Sequence, residues 1–374
     1  MDFTLTEEQE AVAGIAATIF GDLATTERVK EVERSDDRVD RRLWSALSTA
    51  GLPALAVPEA DGGSGLGMTE LCLVLEQQGR HVAPVPLLWT ALAAMAVSRF
   101  GGPVVRAAWV PPAVAGETIL ALALAEPGAA EPFDPSLEAT RDADGGWRLT
   151  GLRASVPYAH VAGRVLTPAR VSGTDALVVV LVDPRADGVD HECAEATDRQ
   201  LLTHLTLDGV RVEPGDVVAG PDTGRAAIGW ILQRALVGIA AIQLGVAEQA
   251  LALAAAYTST RLQFGKPLSS FQSTSARAAD AYIDTEAMRV TLWQAAWRLD
   301  SGLDASVAVE VAKWWAAEAG QRVVHATQHL HGGMGADIAY PIHRYFLVGK
   351  QLEDTLGGGS AHLARIGAAL AAAR

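Results

Sequence analysis

Two short stretches in the C-terminal half of the 374-residue chain carry residue types suited to gripping a bound cofactor. In the first, Arg261-Leu262-Gln263-Phe264-Gly265-Lys266-Pro267-Leu268 is followed by Phe271-Gln272, bringing together a permanent cation, two amides and aromatic rings. In the second, Gln328-His329-Leu330-His331-Gly332-Gly333-Met334-Gly335 sets amide and imidazole donors beside paired glycines, which permit close backbone approach. Taken alone, Arg261 reads equally well as a surface arginine at a helix end, and Gly332-Gly333 as a turn. It is the register of their neighbours that favours cofactor contact.

Other combinations point to less. His325, His329 and His331 fall on or just past one expected helix, but without a nearby carboxylate-histidine set no metal site is expected. Glu126 precedes a proline in a β-loop and could serve as a base, although a structural or solvated role is the plainer reading. Gly62-Gly63-Ser64-Gly65 lacks the Lys-Ser/Thr tail of a phosphate loop and reads as a tight turn. Trp293, Trp297, Trp314 and Trp315 fall on expected helices, where core or interface packing is the default.

Composition narrows the classes further. Thirty Lys and Arg against forty-four Asp and Glu give a net charge of −14, which opposes binding to nucleic acid or anionic membranes. The two cysteines, Cys72 and Cys193, support neither a disulfide framework nor a zinc knuckle. The N-terminal Met1-Asp2-Phe3-Thr4-Leu5-Thr6-Glu7-Glu8 is acidic where a signal peptide needs a basic start, so a cytoplasmic location is expected. The longest apolar stretch, Ala235 to Ala247, is shorter than the roughly 20 residues of a bilayer span and contains Gln243, so no membrane span is expected.

The elements that must position these residues follow from periodicity. Thr6 with Gln9 forms a capping box, and Val12, Ile15, Ala16, Ile19 and Phe20 share a face of the helix that follows. A second helix is expected around Leu43, Trp44, Leu47 and Leu52, a third over 68–78 and a fourth over 91–100. Between about Glu117 and Val218 the runs 119–122, 147–150, 176–182 and 205–207 are short, β-rich and punctuated by Gly, Pro and Asp, which suggests a small antiparallel sandwich or barrel. Helical pattern then returns over about 225–259, 269–300, 304–330 and 357–373, the elements of a four-helix bundle. The fold class expected is α+β, mainly α: an N-terminal helical domain over 1–116, a central antiparallel β-domain over 117–220 and a C-terminal four-helix bundle over 221–374.

That order of elements, with its local motifs, resembles the acyl-CoA dehydrogenase family over essentially the whole chain. Phe3-Thr4-Leu5-Thr6-Glu7-Glu8-Gln9 resembles the start of the family's first helix, and Gly51-Leu52-Pro53-Ala54-Leu55-Ala56-Val57-Pro58-Glu59 with Gly62-Gly63 its loop before the third. Glu126-Pro127-Gly128-Ala129-Ala130-Glu131 resembles its flavin-facing strand and loop, and the two C-terminal stretches above resemble its most recognisable signatures. The resemblance implies α,β-dehydrogenation of an acyl-CoA thioester. A glutamate takes the α-proton, hydrogen bonds stabilise charge on the thioester oxygen, and FAD accepts the β-hydrogen as hydride.

The resemblance also implies that each FAD lies across a subunit interface, so the motifs sort into two halves. Arg261, Gln263, Phe264, Gln272, Gln328, His329, Gly332 and Gly333 match the adenosine-pyrophosphate half, with Phe264-Gly265 ending its helix. One departure is that the family's glutamine three residues before the glycines falls at His329, with Gln328 one position earlier. The flavin-ring half departs further. Ala125-Glu126-Pro127 replaces Thr-Glu-Pro, and Ser155-Val156-Pro157 replaces Trp-Ile-Thr, removing a hydroxyl, an aromatic wall and a backbone donor. Leu356-Gly357-Gly358-Gly359-Ser360 replaces Tyr-Glu-Gly-Thr-Ser, so Gly357, or Gly358 in a slipped register, stands where the catalytic glutamate belongs. At the family's alternative base position stands Gln233-Arg234, whose amide cannot take a proton.

The function implied is a subunit of a heteromeric FAD-dependent acyl-CoA dehydrogenase that supplies the adenosine-pyrophosphate half of a shared site and has no catalytic residue of its own. The terminal Gly-rich segment is similar to the partner subunits of actinobacterial steroid-degrading members, which form α2β2 heterotetramers in lipid or steroid catabolism. The expected partners are a second acyl-CoA dehydrogenase-like subunit holding most of the acyl-CoA site, and electron-transferring flavoprotein. The alternatives are an active homomeric dehydrogenase with an unrecognised base, a flavin-free structural or regulatory binding subunit, and a flavin monooxygenase of the same fold.

Overall fold

The structure, a computed structural model, describes residues 4–126 and 134–372, so Phe3 of the opening motif and Pro127 to Glu131 of the flavin-facing motif lie outside the described residues. The chain divides into two compact units, one formed by residues up to Glu31, Met68–Ala83 and Leu236 onward, the other by Val32–Gly67 and Pro84–Ala235.

The first unit is helical. Its helix α1 (Glu7–Leu23) opens on the capping box read from the sequence: the Gln9 N–H donates to Thr6 Oγ1 at 3.2 Å and the Thr6 N–H to Gln9 Oε1 at 3.0 Å. A short α2 (Thr26–Val32) follows, then α4 (Met68–Arg80) after the second unit's α3 (Arg41–Thr49). The N-terminus of α4 is capped from far along the chain, where Asp300 accepts from the Met68 and Thr69 N–H groups at 2.7 and 2.9 Å.

The long α7 (Gly224–Thr260) begins in the second unit and crosses α4 in the first. A Cβ on Gly79 would meet the Ile242 carbonyl oxygen at 2.0 Å, and one on Gly245 the Glu76 carbonyl oxygen at 1.9 Å, so the two backbones touch through facing glycines. Glu76, Arg80, Glu248 and Arg289 join into an ion-pair network beside this crossing. By length and composition α7 could cross a membrane, but its most apolar window is 72% buried by the chain itself, as in a core helix.

Helices α8 (Gln272–Asp300), α9 (Ser306–Leu330), α10 (Ile342–Asp354) and α11 (Gly359–Ala372) complete this unit. Val246, Ala250, Val324, Ile342 and Tyr345 form a buried cluster that joins α7, α9 and α10. The expected set of four C-terminal helices therefore omits one, α10. Phe264-Gly265 is also placed differently from the sequence expectation, because α7 stops at Thr260. Strands β9 (Leu262–Gln263) and β10 (Lys266–Pro267) pair antiparallel, and Phe264-Gly265 is the two-residue turn between them with φ of 51° and 80°.

The second unit holds α3, α5 (Leu87–Phe100), α6 (Pro103–Val114) and one sheet. Its strands are β1 (Leu120–Leu122), β2 (Glu138–Arg141), β3 (Trp147–Pro157), β4 (Arg164–Val171), β5 (Leu177–Val182), β6 (Val189–Glu195), β7 (Leu201–Val212) and β8 (Val217–Ala219). The spatial order is β6-β7-β3-β2-β4-β5-β8, with β1 beside β4. Pairing is mainly antiparallel, but β4 runs parallel to both β1 and β2. Neither β6 nor β8 pairs further, so the path stays open and no barrel closes among the described residues. The fold is mainly helical, with a central sheet rich in antiparallel pairs and helices at its C-terminal end.

Candidate functional site

Most of the residues expected to hold a cofactor are surface residues of the first unit. Arg261, Gln263, Phe264, Gln272, His329, Gly332 and Gly333 are exposed, and Gln328 is half-buried. Arg261 follows the last turn of α7, with its N–H donating to the Tyr257 carbonyl at 2.9 Å and its own carbonyl accepting from the Leu268 N–H at 2.9 Å. Its backbone is thus fixed, while its guanidinium makes no ion pair among the described residues. Phe264 is 92% exposed and meets Phe271 edge-on at 6.2 Å, a costly placement for a large apolar ring unless something outside this chain covers it.

The turn after α9 has the same character. The Gln328 amide donates to the Gly335 carbonyl at 2.9 Å and braces residues 332–336, which leaves the exposed His329 as the freer of the two candidate donors. A Cβ on Gly333 would meet nothing within 4 Å, and Gly333 is not among the residues with positive φ. Nothing in the packing or backbone of the described residues demands glycine there. The side chains present fit a dinucleotide: a free guanidinium, exposed amide and imidazole donors, and an open glycine turn.

The loop between α10 and α11, where the catalytic glutamate was expected to be missing, is locked from within. Leu356 and Gly357 have φ of 60° and 110°. The Gly357 carbonyl accepts from Lys313 Nζ at 2.9 Å and from His362 Nε2 at 3.0 Å, and Lys313 also donates to the Glu353 carbonyl at 2.9 Å. His362 is fully buried, with its other ring nitrogen 2.6 Å from Glu310 Oε2. Lys313 is fully buried as well, and burial draws its ammonium pKa down to about 8. Sequence reasoning missed both residues, since a lysine and a histidine within alanine-rich helices carry no local sign of burial.

The other residues expected in the flavin-ring half, apart from the Gly357 loop of the first unit, lie in the second unit. Glu126 pairs with Arg153, their side chains 1% and 0% exposed, and its second oxygen accepts from the Ser136 N–H at 3.0 Å and Oγ at 2.9 Å. Burial draws the Arg153 pKa down to about 9, which leaves it cationic at neutral pH. A carboxylate so occupied is a structural anchor rather than a base. Ser155 stands with φ of 52° at a break in the β3–β7 register, and Tyr158 at 59° buries its ring and donates to the Val85 carbonyl at 3.2 Å. Gln233 is half-buried, and the neighbouring Arg234 lies over the Trp230 ring at 3.8 Å. Among the described residues no group of histidine, cysteine and carboxylate side chains could hold a metal.

The acyl-CoA dehydrogenase N-terminal domain family matches residues 6–117, and the C-terminal domain family matches residues 222–370. The acyl-CoA dehydrogenase FadE27 of Mycobacterium tuberculosis is 39% identical, with 99% of each chain covered. Among solved structures, the Tcur3481-Tcur3483 steroid acyl-CoA dehydrogenase, in a variant form, superimposes with a TM-score of 0.93 at 46% identity over 99% of each chain. The ChsE4-ChsE5 complex from Mycobacterium tuberculosis does so with a TM-score of 0.93 at 40% identity, again over 99% of each chain.

Proposed function

The chain belongs to the acyl-CoA dehydrogenase family, whose cofactor is FAD, and from that premise we propose that it is the base-lacking subunit of a heteromeric dehydrogenase. It supplies the adenosine-pyrophosphate half of an FAD site whose ring, base and acyl-CoA lie mainly in a second acyl-CoA dehydrogenase-like subunit. The two complexes it resembles carry paired names, and one is a steroid enzyme, which favours a bulky steroid-type acyl group and an α2β2 assembly. A cytoplasmic location and electron-transferring flavoprotein as oxidant complete the reading.

Bound FAD would supply the hydride acceptor that no side chain provides. Arg261 would neutralise the pyrophosphate, Gln272 and His329 would hydrogen-bond the adenosine end, and the open Gly332-Gly333 turn would let the backbone come close. Gln263 and Phe264 would shape the hairpin that carries this surface. Lys313 and His362 fasten the α10–α11 loop, whose residues Thr355, Leu356, Gly357 and Gly358 include no carboxylate.

The observation that carries this reading is the contrast between the two halves. The exposed Arg261 guanidinium makes no ion pair, and Gly333 no close contact, among the described residues, whereas Glu126 is consumed by Arg153, and glycine at 357 is fastened by two buried donors. The test is Arg261→Ala in the full chain, purified by a tag from its native cells with the subunit that accompanies it. Loss of flavin and of dehydrogenation from the assembly is expected. Full flavin and activity would instead favour a structural or regulatory subunit with no share in the site.

A further inference from the structure

We propose that His331 is a positioning residue: its ring, clamped between Tyr257 and Tyr340, fixes the Arg261 end of α7 against the Gly332-Gly333 turn, so that both meet FAD as one surface. This rests on the reading that those residues hold FAD. The His331 ring stacks on Tyr257 with centroids 4.7 Å apart at 25°, and lies 5.2 Å from Tyr340. The two tyrosines meet edge-on at 6.4 Å, which closes the cluster. The Tyr257 carbonyl accepts the Arg261 N–H, one helical turn along, and His331 directly precedes the two glycines. One three-ring contact therefore ties together segments that are far apart in sequence, and packed rings resist the small displacements that weaken a binding site.

The chemistry of the ring fits this role. His331 is 1% exposed, and Nδ1 lies 2.7 Å from the Thr327 carbonyl, so Nδ1 carries the proton and donates. Nε2 is buried with no hydrogen-bond partner among the described residues. Burial lowers the pKa of the ring from 6.5 and the Thr327 bond opposes it only in part, so the clamp is built on the neutral imidazole. The titratable groups facing the ring are Tyr257 and Tyr340, and no charged side chain contributes to the shift. A second proton would be left on Nε2, buried without an acceptor. Because the closed form has the lower pKa, the clamp is fully stable above 6.5 and weakens as pH falls below it.

The test measures FAD retention across the acid range, by the fluorescence of released flavin, in the assembly purified through the full-length tagged chain. Three variants are compared with wild type: His331→Ala removes the clamp, His331→Phe keeps an aromatic ring that cannot titrate, and Arg261→Ala removes the cation. Wild type should lose flavin progressively below 6.5. At neutral pH, His331→Ala should weaken FAD affinity about tenfold. His331→Phe should recover most of that affinity and flatten the acid response. Wild-type affinity in His331→Ala overturns the proposal, as does an unchanged acid response in His331→Phe, which remains decisive if His331→Ala fails to fold. If Arg261→Ala loses flavin while both His331 variants behave as wild type, only the positioning role fails. If Arg261→Ala keeps its flavin, or the assembly carries none, the reading of the site fails with it.

Discussion

Placing a glutamate at Gly357, where the proposed reading puts the missing base, tests whether the α10–α11 loop can be catalytic. In Gly357→Glu the backbone must hold φ near 110°, a region that side-chain-bearing residues avoid, and the new Cβ lies 3.2 Å from His362 Nε2, 3.5 Å from Ala361 Cβ and 3.6 Å from Arg365 Nη1. The His362 ring cannot swing aside, because both its nitrogens are engaged and it is fully buried. Strain of this kind costs about 1–3 kcal/mol. At about 2–4 °C per kcal/mol for a cooperative unit of roughly 150–250 residues, the melting temperature should fall by about 2–12 °C. Gly358→Glu provides the control, since that glycine has no positive φ and its Cβ meets only the exposed Asp354 carboxylate, at 3.2 Å. Its cost should stay below about 1 kcal/mol. The assays are differential scanning fluorimetry on the full chain and flavin-linked acyl-CoA oxidation with the full chain alone. Neither variant should oxidise substrate. A Gly357→Glu protein that melts like wild type and dehydrogenates an acyl-CoA unaided would refute the claim that this loop is closed to catalysis.

Three further outcomes are expected. Glu126→Gln strands the buried Arg153 guanidinium and should lower stability by about 3–5 kcal/mol, read from urea denaturation; a change within error would mean that Glu126 is no anchor. Lys313 carries a penalty for its buried ammonium that is complete below about 8 and is relieved as pH rises towards 10.5. Wild-type stability should therefore gain up to about 3 kcal/mol across that window relative to Lys313→Met, and parallel pH profiles for the two proteins would contradict the burial of a charged lysine. Gly333→Val places a side chain in open space, so the lone chain should melt within about 0.5 kcal/mol of wild type while the assembly loses flavin. Unchanged flavin content would show that the turn does not face the cofactor.

Much of the fold is legible in the sequence, and the rest is hidden for physical reasons. Thr6 and Gln9 announce α1 because a capping box is local chemistry. The Gly62–Gly65 run is irregular, as its composition dictates. Helix α10 escapes notice because Gly349 interrupts its pattern, and that glycine is there for packing: a Cβ would fall 2.7 Å from Val324 Cγ1 on α9. Helix α6 carries Pro111 and Pro112 in its interior, which argue against helix in any reading by propensity. In the sheet, β5 is buried throughout and stands out as an apolar run, whereas β6 is exposed along almost its whole length and shows no alternation. Strand β4 contains Pro168 and pairs parallel with β1 and β2, an arrangement that leaves no hairpin signal. At the site, the identities of Arg261, Gln272 and Gly332-Gly333 are readable as motif, but the lock on Gly357 is not. It depends on Lys313 and His362, which reach the loop only once α9 and α11 have packed.

The most direct measurement is the visible absorption spectrum and flavin-to-protein ratio of the full chain, expressed alone and again as the assembly isolated with its companion subunit. Little flavin in the lone chain and one FAD for every pair of subunits in the assembly is the predicted result. One FAD per chain in the lone, homomeric protein would contradict the division of the site, and would mean that a flavin ring can be held with Ala125, Ser155 and Pro157 in place of the family's threonine, tryptophan and threonine.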